Sequence, residues 1–286
     1  MLYNEAQEKF VEYMKGKQMS KETISGYEKN LNYFKRYLIA ELRHASLKIE
    51  EITLQHLLSY RTYLQATRQL KPASQQRYLT AIRSFFTFLH HYEYIDKNIT
   101  NKLDNIKIPR TQRAWLTIPE LEKLIQAIQH PIIRFAVELI GYTGIRVSEA
   151  INLKLSDIDF QHKVLHIKGK GSKERIVPIS NKLQQKMDHY FATTRPIHSE
   201  YLLATTKTQR LSRQYLNITL KKAAQSINIS QPITAHILRH TFATAVARNS
   251  QDLPSLQKIL GHESLRTTGI YLHTQLDQLM DAVNTI

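Results

Sequence analysis

The chain has 286 residues, 42% of them hydrophobic, with only 8 glycines and 8 prolines, so it is long and apolar enough for two cores and is neither disordered nor fibrous. It contains no cysteine, which excludes disulfides and thiolate metal sites and fits a cytosolic setting. No apolar stretch nears the roughly 18 residues of a membrane span, and Met1–Glu5 lacks the basic-then-apolar pattern of a signal peptide. The formal charge of +16 is shared between residues 1–107 (+6) and 108–286 (+10), which suits a protein that grips a polyanion with two surfaces.

The first hundred residues read as four amphipathic helices. Phe10, Val11 and Met14 mark one face of the first, and Ile24, Tyr27, Leu31, Phe34 and Leu38 step by threes and fours along the second. Thr53 is an N-cap for a third carrying Leu54, Leu57, Leu58 and Leu64. A fourth starts near Ser74, with Tyr78, Leu79, Ile82, Phe85, Phe86 and Leu89 inward. Its polar residues Gln75, Gln76, Arg77, Thr80, Arg83 and Ser84 have the chemistry to touch phosphates and base edges. Helical period lapses from Asn98 to Arg113, a polar stretch with Pro109 before Arg110 that reads as an extended linker.

A second domain opens on Thr117-Ile118-Pro119-Glu120, a capping box with Pro in the first turn. Leu121, Leu124, Ile125 and Ile128 follow at helical spacing, a further apolar helix covers 131–142, and another starts near Ile145. Val164–Ile167 and Arg175–Ile179 are short apolar strands around the glycine-rich stretch Gly169–Lys173, the pattern of a hairpin. Helices are expected again over 181–193, 212–226, 234–249 and 253–260, the last ended by Gly261. An amphipathic helix closes the chain from Leu276.

The chemistry concentrates in five residues and a tyrosine. Arg146 lies in Thr143-Gly144-Ile145-Arg146, His236 and Arg239 in His236-Ile237-Leu238-Arg239-His240, and His262 follows Leu260-Gly261, with Tyr271 nine residues on. Lys170 sits in the hairpin turn. Breaking a phosphodiester by direct attack needs an in-line nucleophile, neutralisation of the non-bridging oxygens and a proton for the leaving oxygen. Arginine suits the second task, because its fork binds phosphate bidentately and never loses its charge. Glu149, three residues past Arg146, can orient Arg146 or a neighbouring histidine. The spacing of His236 and His240 is that of a zinc-binding helix, but Ile237 stands where such a helix carries its glutamate, so no metal is expected.

In joint order and spacing these segments resemble the tyrosine recombinases, the phage-integrase and Xer-like family. The matching stretches are Thr143–Glu149, Gly169–Arg175, His236–Thr244, and Leu260-Gly261-His262 followed by Thr267–Tyr271. The resemblance covers essentially the whole chain. It implies a mainly α fold with a small antiparallel β-sheet: a helical core-binding domain over 1–107, a linker over 108–114, and a mixed α/β catalytic domain over 115–286 whose last helix contacts a neighbouring protomer.

By the same resemblance Tyr271 forms a 3′-phosphotyrosine, Arg146 and Arg239 bind the scissile phosphate, and Lys170 protonates the departing 5′-oxygen. His236 assists proton transfer at the tyrosine, His262 bonds a non-bridging oxygen, and Glu149 and His240 support the site. Arg77, Arg83, Lys173 and Arg175 are the candidate DNA contacts. The implied partner is double-stranded DNA with an inverted-repeat core site, held by a homotetramer that works through a Holliday junction in the cytoplasm, with no metal, cofactor, ATP or membrane. A paralogous recombinase or accessory protein can join it. Gly269-Ile270 before the tyrosine departs from the polar residues often found there, and no additional N-terminal arm-binding domain is expected. The same residues leave two other readings open: a type IB DNA topoisomerase, and a DNA-binding regulator that does no chemistry.

Overall fold

The computed structural model describes residues 1–43, 46–109, 114–169, 174–195, 199–249 and 253–261. The fold is mainly helical with one small antiparallel sheet, as the sequence predicts, and the chain divides into two units, Met1–Thr111 and Gln112–Ile286. Lys170, Lys173, His262, Tyr271 and the helix expected from Leu276 lie outside the described residues.

The first unit is built from α1 (Tyr3–Gly16), α2 (Lys21–Leu42), α3 (Leu54–Thr62) and α4 (Pro72–His91). Ser20 and Thr53 cap α2 and α3 through their side chains, each accepting a backbone N–H three residues on. Leu31, Phe34, Leu38, Leu79, Ile82 and Phe85 are fully buried along α2 and α4, each removal from water stabilising the unit by about 1.5–3 kcal/mol. Leu58, expected on the inner side of α3, is instead exposed at its surface. A single π-turn over Tyr63–Thr67 continues α3 and keeps Leu64 inward.

Asn98 to Ile106 is not an extended linker. A 3₁₀ turn over Ile99–Lys102 buries Thr100 and Leu103, and polar side chains of α4 strap the rest down. Gln76 Oε1 accepts from the Ile106 backbone at 2.8 Å, Gln76 Nε2 donates to Asn105 at 3.2 Å, and Arg83 donates to Asn105 and to the Leu103 carbonyl. A further 3₁₀ turn over Ile49–Glu51, not signalled by any period, buries Ile49 and bonds back to Met1.

In the second unit α5 (Ile118–Ala127) begins with the expected capping box: Glu120 accepts from Thr117 N at 2.7 Å, and Thr117 Oγ1 from Glu120 N at 3.3 Å. α6 (Pro131–Thr143) is apolar nearly all round and runs through the core, packed against α5, α8 (Asn181–Thr193) and α10 (Ala235–Asn249). Phe135 stacks on Tyr190 with ring centroids 4.1 Å apart. α7 (Val147–Asn152) and α9 (Arg213–Ser226) complete this layer, and α11 (Leu253–Leu260) packs on α10 through Ala243, Ala247, Leu256 and Leu260.

The sheet has order β1-β2-β3: Ile158–Asp159, Val164–Lys168 and Glu174–Pro178, antiparallel throughout. β2 and β3 form the expected hairpin in the register Leu165↔Val177 and Ile167↔Arg175. The period of two buries Leu165, Ile167 and Val177 and leaves Ile176 58% exposed. β1 has only two residues, too short to leave a pattern in the sequence.

Candidate active site

Gly144 sets the geometry at the end of α6. It adopts φ +66°, the left-handed conformation that ends a helix, and here a Cβ would run into Phe242 and lie 3.0 Å from Leu260 Cδ2. The chain turns at once, so Arg146 becomes the N-cap of α7 and Glu149 its third residue. The Glu149 carboxylate then reaches back, accepting from the Arg146 backbone N–H at 2.7 Å and from Arg146 Nη1 at 2.9 Å. Glu149 thus makes the contact to Arg146 that its i,i+3 spacing allows.

Arg175 completes this carboxylate's shell. Strand alternation turns it inward with Val177, and its fork donates to Glu149 from Nη1 at 2.9 Å and from Nη2 at 2.7 Å. Its Nε donates to the Ile259 carbonyl at 2.7 Å. Burial pushes the Glu149 pKa up, but the bonds from Arg175 and Arg146 outweigh it and hold the carboxyl below its ordinary value of 4.5. Arg83 and Arg175 therefore direct their guanidinium groups at protein acceptors, Arg83 half-buried and Arg175 nearly buried, whereas Arg77 is exposed on α4.

Arg239 lies on α10 between His236 and His240, all three on one helix face. It is 4% exposed, with Nη1 donating to Gly144 O and Nη2 to Leu260 O, each at 2.7 Å. Arg146, whose side chain is 44% exposed, donates from Nη2 to Gly261 O at 3.5 Å. Three consecutive carbonyls at the end of α11, those of Ile259, Leu260 and Gly261, thus accept from Arg175, Arg239 and Arg146 in turn. His262 is the next residue in the chain.

His236 is exposed, His240 is buried, and their Nε2 atoms share a hydrogen bond of 3.0 Å, so one of the two nitrogens carries the proton and the other accepts it. No group of three or more histidine, cysteine, aspartate or glutamate side chains is placed to hold a metal ion among the described residues.

Sequence patterns alone miss three supports. Asn217 of α9 accepts the first backbone N–H of α10 at 3.1 Å. Thr241 accepts from Leu116 N at 2.9 Å, which ties the start of the unit to the helix carrying Arg239. Arg248 lies 4.3 Å over the Trp115 ring, on the same entering segment.

The chain matches the phage integrase family over residues 114–278 and the N-terminal SAM-like domain of phage integrases over residues 8–93. It is 33% identical to the tyrosine recombinase XerC of Staphylococcus aureus, covering 96% of this chain and 94% of that one. It is 31% identical to the tyrosine recombinase XerC of Thermodesulfovibrio yellowstonii, covering 92% and 89%. A lambda integrase tetramer bound to a Holliday junction has the same fold, with a TM-score of 0.77 at 20% identity over 92% of this chain and 78% of that one. No helix among the described residues is long and apolar enough to cross a membrane. The motif resemblance and these matches agree, and this chain belongs to the phage integrase family of tyrosine recombinases.

Proposed function

We propose that this protein is a site-specific DNA recombinase that cleaves and rejoins strands through a 3′-phosphotyrosine. The observation that carries the reading is the convergence of Arg146 and Arg239 on adjacent carbonyls at the end of α11, directly before His262. Two guanidinium groups so close together form a fixed site of positive charge, and a phosphodiester is the anion whose two non-bridging oxygens match it.

In this mechanism Arg146 and Arg239 bind the scissile phosphate and His262 bonds one of its non-bridging oxygens. The Tyr271 oxygen attacks phosphorus and gives up its proton with the help of His236. The bond from phosphorus to the 5′-oxygen breaks, and Lys170 protonates that oxygen. Rejoining is the reverse, with a 5′-hydroxyl as the attacking group, so strand exchange needs no external energy source. Glu149 and His240 hold the arginine and the histidine in place. Residues 1–107 serve as the core-binding domain, followed by a linker (108–114) and the catalytic domain (115–286). Arg77 and Lys173 make contacts to the DNA backbone.

Double-stranded DNA with an inverted-repeat core is the substrate, and four protomers assemble on it. The tetramer of lambda integrase on a Holliday junction supports this assembly. DNA as the substrate supports a cytoplasmic setting. The biological outcome, resolution of dimers or cointegrates or integration of an element, follows from the DNA site.

The test is covalent capture. Wild-type protein is incubated with sheared host DNA, denatured in SDS, and the protein-linked fragments are sequenced, with Tyr271→Phe in parallel. Capture by wild type alone at one inverted-repeat site is expected. Capture scattered over all sequences would instead support a topoisomerase, and a Phe variant that still forms the adduct would remove Tyr271 from its role.

A further inference from the structure

Arg175 lies beside Arg146, shares the Glu149 carboxylate with it, carries a charge suited to DNA, and follows the basic stretch Lys170–Lys173 in the chain. All three of its donating nitrogens are directed at protein acceptors: Nη1 and Nη2 at the two Glu149 oxygens, and Nε at the Ile259 carbonyl. Its side chain is 12% exposed and that of Glu149 is 6% exposed, so the pair is held in a setting where charge interactions are strong. Without Arg175 the carboxylate would keep only its two bonds from Arg146, whose own side chain is 44% exposed.

We infer that Arg175 is a positioning residue for cleavage: it fixes the Glu149 carboxylate, and through it the Arg146 guanidinium, against the end of α11. Four hydrogen bonds meet on that carboxylate, two from Arg175 and two from Arg146, so Glu149 can serve Arg146 only in the orientation Arg175 sets. The bond to Ile259 makes the contact three-sided. It binds β3, the N-terminal turn of α7 and the last turn of α11 into one block, and each of these carries or precedes a residue of the site.

Gly261 shows how closely the parts fit. At φ +61° it closes α11, and a Cβ there would lie 3.0 Å from Arg175 Cδ. The aliphatic stem of Arg175 thus packs under the residue that precedes His262. Lysine cannot replace this arginine, because one ammonium cannot span two carboxylate oxygens and a carbonyl on the far side.

This inference rests on the reading of Arg146 as a phosphate ligand, and the experiment separates the two. Using the site recovered by covalent capture, DNA affinity is measured over a salt series and single-turnover cleavage is measured at saturating protein. Cleavage is followed on two substrates, one with a normal scissile phosphodiester and one with a neutral methylphosphonate at that position. Arg175→Lys, Arg175→Ala, Glu149→Gln, the Arg175→Lys/Glu149→Gln pair and Arg146→Ala are compared with wild type.

If Arg175 acts through Arg146, Arg175→Lys binds DNA with an unchanged salt slope. It cleaves the phosphodiester about 100-fold more slowly, the loss expected when a charge-stabilising group is misplaced by about an ångström. It loses much less on the methylphosphonate, which has no charge to neutralise, and so repeats the selectivity of Arg146→Ala. The double variant is no slower than the slower single one. Should Arg175→Ala unfold, Arg175→Gln, which also removes the charge, carries the salt comparison, and Arg175→Lys carries the cleavage comparison.

A salt slope reduced by about one in Arg175→Ala, which removes the charge, with cleavage intact would make Arg175 a DNA contact and overturn the proposal. Equal losses on both substrates would also overturn it, by making the role merely structural. Normal selectivity in Arg146→Ala, or no adduct from wild type, would overturn the reading beneath it.

Discussion

Replacing Gly144 by alanine tests whether the turn before Arg146 is set by backbone conformation and close packing together. At φ +66° an alanine in the left-handed region costs about 1–2 kcal/mol. The added Cβ also lies 3.0 Å from Leu260 Cδ2 and closer still to the Phe242 ring, and overpacking of this kind costs about 1–3 kcal/mol. Together the loss should be about 3 kcal/mol, or roughly 6–12 °C in Tm for a unit of this size. Trp115, the only tryptophan, belongs to the second unit, so its fluorescence during urea unfolding reads that unit. Phe242→Leu in the same background should recover the steric share but not the backbone share, giving a coupling of about 1–2 kcal/mol in the double-mutant cycle. Because the Gly144 carbonyl accepts from Arg239, covalent capture should fall as well. A Gly144→Ala protein within about 0.5 kcal/mol of wild type, or a cycle with no coupling, would refute the argument.

Glu149→Gln should destabilise the second unit by about 3 kcal/mol at pH 7, since it leaves two guanidinium groups short of a carboxylate. The carboxyl is held below 4.5 in the folded state, so its stabilisation is complete above that pH and disappears as pH falls through the lower native value. The gap between wild type and Glu149→Gln, read by Trp115 unfolding, should therefore shrink below pH 4.5, and a gap constant down to pH 3 would contradict the pairing. In the first unit, Tyr60 is fully buried, burial drives its pKa far up, and its hydroxyl meets no hydrogen-bond partner among the described residues. Tyr60→Phe should raise stability by about 1 kcal/mol in thermal unfolding followed by circular dichroism. A loss of that size would show that the hydroxyl is satisfied.

The helices were legible because burial on one side imposes a period. Ile24, Leu31, Phe34 and Leu38, and Tyr78, Leu79, Ile82, Phe85, Phe86 and Leu89, are all buried as that period requires. One helix end was legible too, since Gly261 closes α11 in the left-handed conformation, whereas the same conformation at Gly144 was not anticipated. Short polar segments were not, because side-chain bonds to distant residues hold them. Gln76 and Arg83 read as ligand-facing residues of α4, but they anchor residues 103–106, and Gln75 of the same set is buried with its amide on the Leu70 carbonyl. The grouping of Arg146, Arg239, His236 and Glu149 could be anticipated from motif order. That Arg175 turns inward had a signal in the alternation of Arg175, Val177 and Ile179, but a basic residue beside a glycine-rich turn suggests DNA more readily than a buried carboxylate.

The central claim is recombination at a specific site, and a plasmid assay tests it most directly. Supercoiled plasmids carrying two, one or no copies of the captured site are incubated with the protein and host extract, and the products are resolved by topology and restriction pattern. Deletion or inversion products from the two-site plasmid alone, lost in Tyr271→Phe, are what this account predicts. Relaxed topoisomers from all three plasmids, with no exchange of flanking DNA, would contradict it.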